Sequence, residues 1–369
     1  MAWPFSTAAG RWAGFGPYYA MFPVGFAKWV VENMCPLGGA VLDPFCGRGT
    51  APFVAQATGR EAVGVDINPV AWVFAKTKTD PEKDSQRLIS RLLQVCRAVR
   101  VKDKHAENEF QKWAWSPSVL GFLNAARRIL NWREDTTDRT LMGLVLAHVH
   151  AKIGDGLSNQ MHKARALGPD YSVRWWKSRD MRPPELNPAD YLRQRIEWRY
   201  KHGVVDGPSR ADIVWGAAER NLCCYSKEKF DLLLTSPPYF GVTRYRHDSW
   251  IRLWLLNEGP PLPDWKNDPN MSGKDVYREM LDSVFAVVAN LLKPRGVVWV
   301  RTDARKVTKE ATQMALSAHW PMRNLYMRSD PQDYRTQTSH FGDNSPKPGE
   351  VDFLIPGRNK LPSGFVLCS

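Results

Sequence analysis

Two short segments near the N-terminus constrain the fold of this chain more than anything else in it. Ala40–Thr50 reads as a short strand, a glycine turn and a helix start. Gly47 and Gly49 are free to take positive φ and to let a ligand approach the backbone. A second strand, Glu61–Asp66, ends on an acid, with Asn68 as a helix N-cap and Pro69 suited to the first helical turn. A glycine turn after one strand and an acid after the next is the nucleotide-binding arrangement of doubly wound α/β folds, where the acid accepts from ribose hydroxyls. The spacing from Asp43 to Asp66 fits, although no third glycine completes a dinucleotide fingerprint.

Far downstream a third strand, Phe230–Leu234, stops at two prolines in the run Thr235-Ser-Pro-Pro-Tyr239. Pro237 and Pro238 have no backbone N–H and a fixed φ, so their carbonyls are held stiffly. Ser236 precedes them and the ring of Tyr239 follows. Such a tip offers acceptors to an amino group and a flat face to a heteroaromatic ring. It suits holding a planar –NH2 group rather than attacking anything.

Asp43-Pro-Phe-Cys-Gly-Arg-Gly-Thr50 resembles the S-adenosylmethionine-binding motif of amino-group DNA methyltransferases, and Thr235-Ser-Pro-Pro-Tyr239 resembles their catalytic motif. The Ser-Pro-Pro-Tyr form is typical of enzymes that methylate the N4 amine of cytosine; adenine enzymes more often begin with Asp or Asn. The resemblance covers residues 15–80 and 211–357. It implies an α/β fold, a seven-stranded Rossmann-like methyltransferase sheet with one antiparallel strand, carrying a large and mostly helical insertion. It also implies S-adenosylmethionine as cofactor, held by Asp43, Pro44, Phe45, Cys46, Gly47, Gly49 and Thr50, with Asp66 on the ribose and Ile67 on the adenine. Phe22 and Pro23, before the first helix, would cover the methionine end. Ser236, Pro237, Pro238 and Tyr239 would be catalytic, with Ser236 and the Pro237 carbonyl accepting from the amine and Tyr239 stacking on a flipped base. An acid expected near Trp215–Glu219 to contact the adenine amine is replaced by Ala217, leaving Glu219, Asp212 or a main-chain carbonyl for that contact.

Composition fits this reading. The chain has 369 residues, a net charge of +13 and a sequence pI near 9.5, which suits a polyanionic partner. Residues 81–210 carry 24 basic against 15 acidic side chains, a net +9 of that charge. The six cysteines, Cys35, Cys46, Cys96, Cys223, Cys224 and Cys368, form no CxxC pair and no regular framework, so neither a disulfide scaffold nor a metal site is expected. Cys46 in the glycine turn reads as a steric residue. No apolar run reaches membrane-spanning length and no signal peptide is apparent, so a cytoplasmic protein, prokaryotic or phage-encoded, is expected.

The sequence divides into residues 1–80, an N-terminal arm and the cofactor-binding half; 81–210, a basic helical and loop insertion; and 211–369, the catalytic half. Helical spacing is strong at Gly25–Asn33, through 81–135, at Leu141–His150, Ala189–Tyr200, Val276–Leu292 and around Glu310–Ala318. Residues 1–20 read as an irregular aromatic arm, and 154–208 as largely loop. Strands are expected at Asp212–Gly216, Val297–Val300, Asn324–Met327 and Val351–Ile355.

The insertion interleaves cations with indoles. Lys163, Arg165, Arg174, Trp175, Trp176, Lys177, Arg179 and Arg182 are candidates for contacting double-stranded DNA, by neutralising phosphates, reading guanine edges or filling the gap left by an extruded base. The alternative for Trp175 and Trp176 is a place in the core. Phe240–His247 reads as an extension of the catalytic loop, with Arg244 and Tyr245 bordering the target pocket. Gln337, Phe341, Asp343 and Lys347 fall in a polar segment that could also face DNA. Rival readings keep the fold and change the substrate: N6-adenine in DNA, an amino group in tRNA or rRNA, or a catalytically silent DNA-binding protein. The resemblance leaves open a cognate restriction endonuclease as partner.

Overall fold

The computed structural model describes residues 2–18, 23–242, 245–263, 273–329, 349–357 and 359–368. Phe22, Arg244, Gln337, Phe341, Asp343 and Lys347 lie outside them. Short runs of valine, leucine and isoleucine build one sheet: β1 (Ala40–Asp43), β2 (Glu61–Asp66), β3 (Ala211–Trp215), β4 (Phe230–Thr235), β5 (Leu292–Asp303), β6 (Tyr326–Ser329), β7 (Glu350–Ile355) and β8 (Val366–Leu367). The strand order is β3-β2-β1-β4-β5-β7-β6-β8. The first five are parallel, and β7 runs antiparallel to both neighbours. This is the α/β methyltransferase order, with one reversed strand inserted near the edge. The eighth strand is an addition to the expected seven; its two residues pair antiparallel with β6 and are too short to show any alternation in sequence.

Helices cover both faces because strand side chains alternate. On one face Leu232, Leu234, Val297 and Trp299 pack beneath α2 (Val24–Met34) and α3 (Thr50–Ala57), which follow the short α1 (Ala8–Ala13). The other face carries Leu233, Val298, Val300 and Phe353.

After β2 comes α4 (Pro69–Thr79), capped by Asn68, whose side chain accepts from Val70 N at 3.0 Å. The segment 81–210 then supplies α5 (Ser85–Arg97), α6 (Glu109–Ala114), α7 (Pro117–Ile129), α8 (Thr136–His148), α9 (Pro169–Lys177) and α10 (Pro188–Tyr200). Asp84, Asn108, Asp135 and Asn187 cap four of these helices with their side chains. The catalytic half contributes α11 (Ala218–Asn221), α12 (Tyr245–Leu255), α13 (Lys274–Leu291) and α14 (Lys306–His319). Of these, α11, α13 and α14 cover the second face of the sheet.

Helices α1, α9 and α12 differ from the sequence expectation; α1, capped by Thr7, lies in the arm read as irregular. Helix α9 lies within the stretch read as loop; Gly168-Pro169 marks its start, with Pro at the first helical position. Helix α12 begins inside the loop expected over Phe240–His247, and buries Trp250, Ile251, Leu253, Trp254 and Leu255. The insertion does not build a core of its own. Leu88, Leu92, Phe110, Leu120 and Leu144 share one apolar cluster with Val70–Ala75 of α4 and Trp250–Leu256 around α12.

Candidate active site

The glycine turn is fixed by close approach. Gly47 and Gly49 both take left-handed backbone, at φ +50° and +72°. A Cβ on Gly49 would also lie 2.7 Å from the Ala75 methyl on α4, so conformation and space both demand glycine there. Cys46 N donates to Val65 O at 2.9 Å, fastening the turn to β2, and Gly49 N donates to Cys46 O at 2.8 Å, closing it. The Cys46 sulfur fills the space over Gly64, in keeping with a steric role, and burial pushes its thiol pKa up. Arg48, unassigned by the motif, is buried and donates to Gly14 O and Gly16 O at 3.1 and 3.0 Å. It ties the N-terminal arm to the turn.

Two carboxylates stand at the C-terminal ends of adjacent strands. Asp43 is buried; its Oδ1 accepts from Thr235 Oγ1 at 2.7 Å and from Phe45 N at 3.2 Å, and nothing donates to Oδ2 among the described residues. Burial pushes its pKa up to about 7 against the lowering effect of those two bonds. Asp66 accepts from Gly47 N through Oδ2 and from Asn68 N through Oδ1, both at 2.8 Å. Burial lifts it to about 6. A carboxylate oxygen has two lone pairs, so each oxygen of Asp66 keeps one for a hydroxyl. The next residue, Ile67, is 65% exposed, an apolar side chain in water beside an acid. An open Asp43 oxygen for an ammonium, spare acceptors on Asp66 for a ribose, and Ile67 for an adenine fit S-adenosylmethionine.

The adenine edge differs from the motif. Trp215 Nε1 donates to Ile67 O at 3.1 Å and shapes the loop after β2. Ala217 caps α11 and its carbonyl accepts from Asn221 Nδ2. Asp212 Oδ2 accepts from Tyr225 OH at 2.5 Å on the sheet's edge strand.

The Ser-Pro-Pro-Tyr tip stands beside the glycine turn because β4 pairs with β1, Leu42 opposite Leu233. Thr235 ends β4 fully buried and reaches Asp43. Beyond it Pro237 is buried, and Ser236, Pro238 and Tyr239 are half-buried. Ser236 Oγ donates to Tyr239 OH at 3.4 Å, and Tyr239 O accepts from Val242 N at 3.1 Å. Burial and then the neighbouring Glu350 push the Tyr239 phenol well up, so it stays neutral. Phe240 packs on Tyr277 of α13, with ring centroids 5.5 Å apart.

Helix α12 joins this tip to the insertion. Arg252 donates to Leu146 O, Ala164 O and Lys163 O at 3.0, 3.3 and 2.6 Å. Ala166 N donates to Asp248 O, and Arg165 lies 3.9 Å from the Asp248 carboxylate. The segment carrying Lys163 and Arg165 is therefore held against the helix that follows the tip. Of the insertion candidates, Lys163, Arg165, Arg174, Lys177, Arg179 and Arg182 are exposed. Arg179 lies over the half-buried Trp175 at 4.6 Å, and Arg182 over Trp113 at 4.5 Å. Lys177 pairs with Glu109. Trp176 is a correction: it is fully buried against Phe110, its indole N–H donates to Gln160 O at 2.8 Å, and it belongs to the core. Tyr245 opens α12, and Pro23 caps α2.

Thr235, Arg48 and Trp113 were absent from the sequence-derived site. For Thr235 the signal was available, as the last inward-facing residue before the tip; for the other two, partners distant in sequence decide the role.

The strand order, the glycine turn and the acid after β2 fit the class of α/β methyltransferases that take S-adenosylmethionine. Sequence comparison points to the same class: the model of a family described as DNA methylase matches residues 3–76. The Type II methyltransferase M.SmaI of Serratia marcescens is 43% identical over 63 residues, 17% of this chain and 22% of that protein, so the chain spans about a fifth of that relative's length. The Type II methyltransferase M.MvaI of Kocuria varians is 22% identical over 342 residues, covering 80% of this chain and 72% of that protein. Among solved structures, the rRNA methyltransferase AviRa of Streptomyces viridochromogenes matches with a TM-score of 0.35 at 14% identity, covering 97% of this chain and 94% of its own. A TehB-like S-adenosylmethionine-dependent methyltransferase of Corynebacterium glutamicum gives 0.32 at 8% identity, covering 94% and 91%. No helix among the described residues is long and apolar enough to cross a membrane.

Proposed function

We propose that this chain methylates the exocyclic N4 amine of a cytosine extruded from duplex DNA. The observation that carries the reading is the 2.7 Å hydrogen bond from Thr235 to Asp43, which makes the amine-holding tip and the cofactor turn parts of one site. Bound S-adenosylmethionine supplies a methyl group on a positively charged sulfur, open to attack by a neutral amine.

The protein's part is alignment and hydrogen bonding. Cytosine's amine is a poor nucleophile because its lone pair is delocalised into the ring. Ser236 Oγ and the Pro237 carbonyl accept from its two N–H groups and favour a more pyramidal nitrogen, whose surplus proton leaves to water once the methyl is bound. Ser236 then exchanges its contact with Tyr239, freeing the tyrosine ring to stack on the base. Extrusion costs a few kcal/mol, offset by that stacking and by the exposed cations Arg174, Arg179 and Arg182 on the backbone. Ser236, rather than an acid, at the head of the tip favours cytosine over adenine. The Type II methyltransferases M.SmaI and M.MvaI support a restriction–modification setting, with a cognate endonuclease as partner.

The test uses methyl-labelled S-adenosylmethionine with duplex DNA or total RNA. Label is expected in DNA, and is expected to fall at least a hundredfold with Tyr239→Ala. Label in RNA alone overturns the proposal.

A further inference from the structure

Tyr18 belongs to neither motif and is 6% exposed. It ends the described part of the N-terminal arm, yet it stands between the two halves of the site. Its hydroxyl accepts from Asn68 Nδ2 at 3.0 Å. Asn68 makes two further bonds: its Oδ1 caps α4 through Val70 N, and its backbone N–H donates to Asp66 Oδ1. The Tyr18 ring lies beside the glycine turn, where a Cβ on Gly47 would sit 3.5 Å from its Cε1. Gly47 N in turn donates to the other oxygen of Asp66. The same ring meets Tyr245, with centroids 6.5 Å apart and planes inclined at 24°. Tyr245 opens α12, only six residues beyond Tyr239 in the Ser-Pro-Pro-Tyr tip.

A continuous chain of contacts thus runs from the ribose acid through Asn68 and Tyr18 to the helix that follows the tip. We infer that Tyr18 is a positioning residue that couples occupancy of the cofactor site to the placement of Tyr245 and the target-base loop. The inference rests on the methyltransferase reading and adds to it a route by which cofactor and DNA sense each other. A rearrangement at Asp66 reaches Tyr18 through one asparagine, which bonds Asp66, Val70 and Tyr18 at once. Because coupling between two ligands is reciprocal, the same route makes DNA alter cofactor affinity. The two contacts of Tyr18 separate cleanly: Tyr18→Phe removes the hydroxyl and keeps the ring, while Tyr18→Leu removes both.

The experiment is calorimetric titration of S-adenosylmethionine into the full chain, alone and with a saturating DNA duplex. For the wild type, cofactor affinity is expected to differ severalfold between the two titrations. Tyr18→Phe is expected to bind cofactor about threefold to tenfold more weakly, as for loss of one buried hydrogen bond, and to keep part of the coupling. Tyr18→Leu is expected to bind with the same affinity whether or not DNA is present. Tyr245→Leu gives the same readout from the partner ring, so the idea stays testable if Tyr18→Leu does not fold. Wild-type coupling retained in either leucine variant overturns the inference, as does a wild type with equal affinities in both titrations. A wild type that binds no S-adenosylmethionine overturns the methyltransferase reading instead.

Discussion

Thr235, the last residue of β4, donates its hydroxyl proton to Asp43 Oδ1 at 2.7 Å, across 192 positions of sequence. This bond supports the ionised form of a buried carboxylate, since it opposes the rise that burial imposes. Thr235→Val keeps the shape and removes the donor. A hydrogen bond to a charged group contributes about 1.5–3 kcal/mol. The valine variant should therefore bind S-adenosylmethionine about tenfold more weakly at neutral pH, and Thr235→Ser should recover most of the loss. Equal affinities for wild type and valine variant, by calorimetry, would show that the hydroxyl plays no part.

The pH response follows from the same carboxylates. Asp43 and Asp66 are raised by burial from 3.8 to about 7 and about 6. Their folded pKa values exceed the unfolded ones, so their contribution to stability is full below about pH 4 and is lost as pH rises through 6 to 7. A cofactor ammonium and ribose favour the ionised forms. Cofactor affinity should thus climb between pH 5 and about 7 and level off above. The gap between melting temperatures with and without S-adenosylmethionine should widen over the same range; a gap that narrows or stays flat contradicts the assignment.

Gly49→Ala tests the turn. A non-glycine residue in left-handed backbone costs about 1–3 kcal/mol, and the added methyl would meet Ala75 of α4 at 2.7 Å. Chemical denaturation should show a loss of that size, with cofactor binding abolished. A neutral substitution would mean that α3 and α4 separate easily.

Much of this was legible because it is local. Glu61–Asp66 appears as the strand the sequence marks, and the glycine turn and the tip fall at strand ends as their residues require. What stayed hidden depends on distant partners. Trp176 reads like Trp175, and only its packing against Phe110 and its bond to Gln160 O make it core. Tyr245–Leu255 follows closely on a Pro-Pro tip, so its first turn was read as part of the loop Phe240–His247. Arg48 acquires its role from Gly14 and Gly16, residues of an arm with no periodicity.

The sheet offers a prediction independent of ligands. Asp352 of β7 is fully buried, paired bidentately with Arg301 at 2.7 and 2.9 Å and bonded by Arg328 at 2.9 Å. Removing one partner of a buried pair costs about 3–5 kcal/mol. Asp352→Asn should lower unfolding stability by that order in urea titration, while a loss under 1 kcal/mol would mean that the arginines find other partners.

On the insertion, Arg179 and Arg182 lie over Trp175 and Trp113 on an exposed surface. If they contact phosphates, Arg179→Glu with Arg182→Glu should reduce the slope of log affinity against log salt by about 0.9 per lost contact. S-adenosylmethionine binding without DNA should be unchanged. An unaltered slope would move the DNA surface elsewhere.

In the proposed function one site, closed by Thr235 and Asp43, transfers a methyl group to cytosine's amine. Its most direct test is mass analysis of the nucleosides released from duplex DNA after incubation with the protein and S-adenosylmethionine. N4-methylcytosine is the predicted product, absent when Ser236 is changed to Ala together with Tyr239→Ala. N6-methyladenine in its place, or no methylated nucleoside from DNA although the protein binds S-adenosylmethionine, would contradict the account.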